Sequence, residues 1–192
     1  MSGIAGIYHL QTAKPVDPAR LRVMLAAMVH RGAERGEWTA AGVGLGALVD
    51  RGAAERTAAD GRGEASFGQP LSSDDDTATI VFDGLLLNSA QLRSELDERG
   101  YRSPARGDAE LVLAAWRQWG GERLSHFNGL FAFAIHDHAK GCLFLGRDRM
   151  GGRPLHFSFL SDGSLAFASE LKGLLRHPLV GREANVTAVE DF

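Results

Sequence analysis

The chain has 192 residues, 44% apolar and 23% charged, with a net charge of -3. These values fit one soluble globular domain with a sizeable core and give no reason to expect nucleic acid or an anionic membrane as partner. A single cysteine, Cys142, excludes an internal disulfide and every multi-cysteine metal site, which fits a reducing cytoplasm. No apolar run approaches the ~20 residues of a bilayer span, and the start Met1-Ser2-Gly3-Ile4-Ala5-Gly6-Ile7-Tyr8 lacks the basic region and length of a signal peptide.

Ser2 to Leu10, carrying Ile4, Ile7, Tyr8 and Leu10, reads as a buried strand at the start of the chain. Pro15 to Pro18 breaks it, and Asp17-Pro18 reads as a cap followed by proline in the first turn. Leu21, Met24, Leu25, Met28 and Val29 recur at helical spacing, predicting a helix to about His30 that stops before Gly32. Val43 to Val49 is a glycine-rich core strand, and Asp50 to Asp76 reads mostly as loop. Thr77 to Phe82 is a strong strand signal. Asn88 or Ser89 caps a helix through Leu92 and Leu96 to Gly100. A further helix begins at Asp108, with Leu111, Val112, Ala115, Trp116 and Trp119 on its apolar face, and stops at Gly120-Gly121. Leu130 to His136, Cys142 to Gly146, Leu155 to Leu160 and Ser164 to Ala168 read as four strands in consecutive hairpins. Glu170 to Arg176 closes as a short helix before Pro178. Hairpin strands with segregated helices predict an α+β layered sandwich.

Several patterns, taken in order, carry a resemblance. They are Met1 to Ile7, His30-Arg31-Gly32, Ile80-Val81-Phe82-Asp83-Gly84 with Asn88 after it, and Gly107-Asp108-Ala109-Glu110. They continue through Phe127 to Ala134, Leu143 to Leu155, and Phe167-Ala168-Ser169-Glu170-Leu171-Lys172. Together they resemble the class II, N-terminal-nucleophile glutamine amidotransferase domain of asparagine synthetases over nearly the whole chain. The resemblance implies a four-layer αββα sandwich over residues 1–192, with the reactive residue at the start of the first strand. In active relatives Met1 is removed, a cysteine at position 2 attacks the glutamine side-chain amide, and its own α-amine moves the proton. An Asn side chain and the following Gly amide hold the oxyanion, at the positions here of Asp83 and Gly84.

Against that pattern the chain departs at four places. Ser2 stands for the cysteine thiol; serine nucleophiles work in other hydrolases of this type, and an engineered change is an alternative, so this departure alone is not decisive. Asp83 stands for the oxyanion-hole Asn, and an ionised carboxylate accepts where the amide donates. Leu85 stands for the Glu that binds the substrate α-amino group. Val49 lies near the Arg expected to pair with the substrate carboxylate, with Arg51 an alternative two residues out of register. Asp108 and Gly84 keep the expected identity. The resemblance thus implies a pocket dead toward glutamine.

The remaining candidates take structural readings. His30 holds a helix end and its loop, and His126, His136, His138, His156 and His177 show no metal-ligand spacing. Asp74-Asp75-Asp76 is a solvated loop, and Cys142 is a small core residue. Arg147-Asp148-Arg149 forms an ion-pair and turn framework, and Trp116 and Trp119 pack.

Two functions compete. One is a scaffold domain packed on an ATP-dependent amide-forming domain, as in β-lactam synthetases and lasso-peptide cyclases, with a peptide or amino acid as substrate there. The other is a serine-nucleophile glutaminase supplying ammonia for asparagine synthesis; a standalone binding domain is a weaker third. No Ser-Gly-Gly-x-Asp-Ser pyrophosphate loop is present, so ATP and Mg are expected only on a synthetase domain, in the same or a separate chain. The sequence ends about where that domain would begin, as in a truncated or split protein. No cofactor is expected in this chain, and a homodimer is compatible with the reading.

Overall fold

The computed structural model describes residues 2–11, 14–50, 52, 68–101 and 107–183. Met1 and Arg51, and with Arg51 most of the expected loop after Asp50, lie outside the described residues. Strands β1 (Gly3–His9), β2 (Glu34–Ala40) and β3 (Val43–Val49) come from the first quarter, with helix α1 (Pro18–Ala26) between β1 and β2. Next come β4 (Leu71–Ser72), β5 (Ala78–Leu86), α2 (Ser89–Asp97) and α3 (Asp108–Trp119). The last part holds β6 (Gly129–Asp137), β7 (Cys142–Arg147), β8 (His156–Phe159), β9 (Ser164–Ala168) and α4 (Leu171–Leu174).

The strands form two antiparallel sheets, one of five strands in the order β2-β3-β1-β9-β8 and one of four in the order β4-β5-β6-β7. Side chains alternate across each strand, and the alternation builds three cores. Ile4, Val43, Leu45 and Phe167 meet Val81, Ala132 and Ala134 between the sheets. Ala5, Ile7, Leu48 and Ala166 point the other way, onto Leu21, Met24, Leu25 and Met28 of α1 and its end. Ile80, Phe82, Phe131 and Phe133 cover the far face of the second sheet against Leu92, Leu96, Leu111 and Val112. The architecture is the expected αββα sandwich. Both faces of the central strands are buried, so they read as continuous apolar runs. Each fully buried large side chain, Phe133 or Phe167 for example, contributes about 1.5–3 kcal/mol of burial.

Three expectations are corrected, and one strand is added. Helix α1 starts as predicted, with Asp17 accepting from Ala19 N, but ends at Ala26, and a 3-10 turn, Val29–Arg31, follows. Val29, placed on the apolar face, is 62% exposed, because the turn rotates it outward as it brings Arg31 in. Strand β2 is not legible as a strand: Glu-Arg-Gly-Glu-Trp-Thr-Ala lies on a sheet edge and is exposed or half-buried along its length. Strand β5 runs on through Asp83-Gly84 to Leu86, past the expected end at Phe82. Asn88 occupies the N-cap position of α2 without capping it; its side chain donates to His126 O and accepts from Asn128 N, tying the helix start to the approach to β6.

Candidate functional site

Ser2 sits immediately before β1, and its carbonyl accepts a 2.7 Å hydrogen bond from Arg31 Nε. Two residues on, Ile4 N donates to Ser169 Oγ at 2.9 Å and Ile4 O accepts from Ser169 N at 2.8 Å. The start of the strand is therefore held from two sides. Gly3 leaves room for this: a Cβ there would lie 3.1 Å from Arg31 Cδ.

Arg31 is the hub. Its guanidinium donates to Asp83 Oδ2 at 2.7 Å and to Glu170 Oε1 at 3.0 Å, while only 7% of the side chain is exposed. One side chain thus joins the beginning of β1, the middle of β5 and the β9–α4 junction. Glu170 also takes His30 Nε2 at 2.8 Å and Lys172 Nζ at 3.2 Å. Burial alone would push the Glu170 carboxyl up, but hydrogen bonds from Arg31, His30 and Lys172 outweigh it and hold it at about 2. His30 therefore anchors the 29–31 turn to Glu170.

Asp83 is fully buried. Burial pushes its carboxyl above the usual carboxylate range, and the charges of Arg153 and Arg31 pull back against that rise. Gly84 follows at φ 144°, a conformation L side chains rarely adopt, and a Cβ there would lie 2.1 Å from Leu130 O. Only glycine fits this step of β5. Asp83 pairs with Ala132, Gly84 with Phe131 and Leu85 with Leu130 across to β6.

The other predicted positions fall at the same end of the sandwich. Gly3 pairs with Leu48, so the register carried one residue further sets Val49 alongside Ser2; Val49 is 6% exposed. Leu85 is half-buried on β5. Asp108, at the start of α3, is buried and committed within the protein: Oδ2 accepts from Leu86 N at 2.9 Å and Oδ1 from Ser89 Oγ at 2.7 Å. Apolar Val49 and Leu85 offer no charge to a zwitterionic amino acid, and the carboxylate of Asp108 fastens α3 to the end of β5.

Arg31, Glu170, Ser169 and Arg153 went unassigned in the sequence, although each lies inside a quoted motif. Their roles depend on contacts 29 to 165 residues apart along the chain, which no local pattern encodes. Asp148 accepts from Phe131 N, Gly152 N and Arg153 N; it frames the turn through backbone N–H groups, and among the described residues it makes no ion pair of the kind expected. Cys142 is half-buried on β7, short of the core place expected of it. Among the described residues no group of three or more His, Cys, Asp or Glu is placed to hold a metal ion, and no helix is long and apolar enough to cross a membrane.

Comparisons with known proteins agree with this fold. The model of a glutamine amidotransferase domain matches residues 1–192. Asparagine synthetase [glutamine-hydrolyzing] 3 of Bacillus subtilis (strain 168) is 37% identical over 118 residues, 61% of this chain and 19% of that protein. Asparagine synthetase B [glutamine-hydrolyzing] of Escherichia coli (strain K12) is 36% identical over 107 residues, 56% of this chain and 19% of that protein. The matched region thus spans about a fifth of these relatives. Among solved structures, glutamine phosphoribosylpyrophosphate (PRPP) amidotransferase from B. subtilis, complexed with ADP and GMP, superposes with a TM-score of 0.69. It is 18% identical, with 90% of this chain and 42% of that one covered, a likeness of fold. The chain belongs to the glutamine amidotransferase domain family, in the class II type carried by asparagine synthetases.

Proposed function

We propose that this chain is the glutaminase-like domain of an asparagine synthetase-like, ATP-dependent amide-bond-forming protein, with glutamine hydrolysis lost and the domain kept as a scaffold. The observation that carries the reading is Asp83, fully buried and bonded to Arg31 at 2.7 Å. Amide hydrolysis requires a donor aimed at the developing oxyanion, and a carboxylate supplies none. Losing one such donor costs about 2.7–4 kcal/mol of transition-state stabilisation. Val49 and Leu85 add the loss of both charged anchors for a free amino acid, so positioning fails as well.

The partner is then a synthetase domain in the same or a separate chain, of the lasso-peptide cyclase or β-lactam synthetase type, joining a carboxylate to an amine of a peptide or amino acid. ATP and magnesium belong to that domain: the carboxylates here, Asp83 and Glu170, are engaged by guanidinium groups and do not fit a magnesium site. A second reading, a serine glutaminase feeding ammonia to asparagine synthesis, is favoured by the hydroxyl of Ser2 before β1 and by the retained Gly84 conformation.

Glutamine titration by calorimetry separates the two. The scaffold reading expects no saturable heat below millimolar concentration; micromolar affinity would show that the pocket keeps its anchors. A repair series complements it. Ser2→Cys alone should leave ammonia release at background, and Leu85→Glu with Val49→Arg should restore binding before turnover.

A further inference from the structure

Asp83 presents its two oxygens to two different guanidinium groups. Oδ2 takes the 2.7 Å bond from Arg31, and Oδ1 lies 3.9 Å from Arg153 Nε. Among the described residues neither Oδ1 nor Arg153 Nε has a hydrogen-bond partner, and both atoms are shut off from solvent. The arginine is aimed there by its backbone. Asp148 pins the loop after β7 by accepting from Gly152 N at 2.9 Å and Arg153 N at 3.0 Å. That loop rests on Leu130, where a Cβ on Gly152 would come within 2.5 Å of Leu130 Cδ2, and Leu130 pairs with the residue after Gly84.

We infer that Arg153 is the matched counter-charge of Asp83, and that the two side chains together plug the position an oxyanion would occupy. An amide at position 83 could still offer its oxygen to Arg31. Its NH2 would then face the N–H of Arg153, donor against donor. With Arg31 and Arg153 held where they are, an amide at 83 meets a guanidinium on its donor side, so restoring an oxyanion donor calls for a rearrangement around Arg153 as well. The inference rests on the non-hydrolytic reading of the site and extends it to a residue outside the positions the resemblance marks.

A thermal-unfolding cycle on the 192-residue chain tests the pairing without any substrate. Asp83→Asn should lower Tm by roughly 5–15 °C, as expected for breaking a buried pair in a domain of this size. Arg153→Met should cost less, since 23% of its side chain is exposed. The double variant should retain roughly 2–6 °C more than the two losses added together. Carbon-13 NMR of the Asp83 carboxyl supplies a readout that packing alone would not move: it should titrate at higher pH in Arg153→Met and return toward the parent value in Arg153→Lys. Additive losses within about 1 °C, or a carboxyl titration indifferent to position 153, would overturn the pairing. If Asp83→Asn does not fold, the double variant decides: a folded double supports the pairing, and an unfolded one refutes it. Ammonia release by the unaltered chain would sink the non-hydrolytic reading whatever the cycle shows, and an additive cycle would sink the pairing whatever the ammonia assay shows.

Discussion

Replacing Arg31 by Met removes the hub while keeping most of its apolar volume. Three bonds are lost, to Ser2 O, Asp83 Oδ2 and Glu170 Oε1. Glu170 keeps His30 and Lys172 and is partly exposed, and Ser2 O lies at the edge of the chain. The damage therefore concentrates on Asp83, which is fully buried and left with Arg153 at 3.9 Å. Stranding one partner of a buried pair costs about 3–5 kcal/mol, a large share of the roughly 5–15 kcal/mol that holds a domain together. Protonation limits that cost. Burial already raises the Asp83 carboxyl, and loss of the Arg31 charge raises it further. A carboxyl whose folded pKa lies above its unfolded value destabilises increasingly as pH rises between the two. The deficit of Arg31→Met against the parent should thus be larger at pH 8 than at pH 5. Urea unfolding followed by tryptophan fluorescence at both pH values measures it, with an unchanged m-value expected. A loss below about 1 kcal/mol at pH 8, or an equal deficit at both pH values, would show that Arg31 is not an electrostatic clamp.

Other perturbations test neighbouring parts of the account. Gly84→Ala forces a Cβ to 2.1 Å from Leu130 O at φ 144°; the variant should fail to fold or lose more than about 3 kcal/mol, and near-parental unfolding would refute the placement. Burial, with His138 beside it, pushes His136 down to about 4 against a smaller pull from Asp137. Its folded value lies below the unfolded one of 6.5, so stability is full above 6.5 and falls as pH drops toward 4, by up to ~3 kcal/mol. His136→Leu should flatten that limb of the acid-stability curve, and an unchanged limb would assign it elsewhere. Asp148→Ala removes the acceptor for three backbone N–H groups; faster amide exchange at Gly152 and Arg153 is expected, with β1 amides unaffected.

Much of the architecture was legible because continuous apolar runs and helical spacing coincide with real burial. Val43 to Val49 and Gly129 to Asp137 are apolar on both faces, and both are central strands. β2 was not, because an edge strand that buries little carries Glu and Arg freely. Asp83 was read as a charge set against an oxyanion, and the structure adds what pattern cannot show: the charge is matched twice, by Arg31 and by Arg153. Asp108 has the identity that the resemblance implies, yet its oxygens bind Leu86 N and Ser89 Oγ. A retained residue type did not reveal its contacts.

The central claim is that this pocket does not hydrolyse glutamine, and ammonia release tests it most directly. Mass spectrometry first confirms a preparation whose N-terminal residue is Ser2, so that the α-amine needed as base is free. Glutamine is then supplied at tens of millimolar, and ammonia is followed by a coupled enzymatic assay. The account predicts a rate indistinguishable from the protein-free control over hours. Saturable release at about 1 s⁻¹, inside the ordinary enzyme range, would contradict it and make the chain a working serine glutaminase.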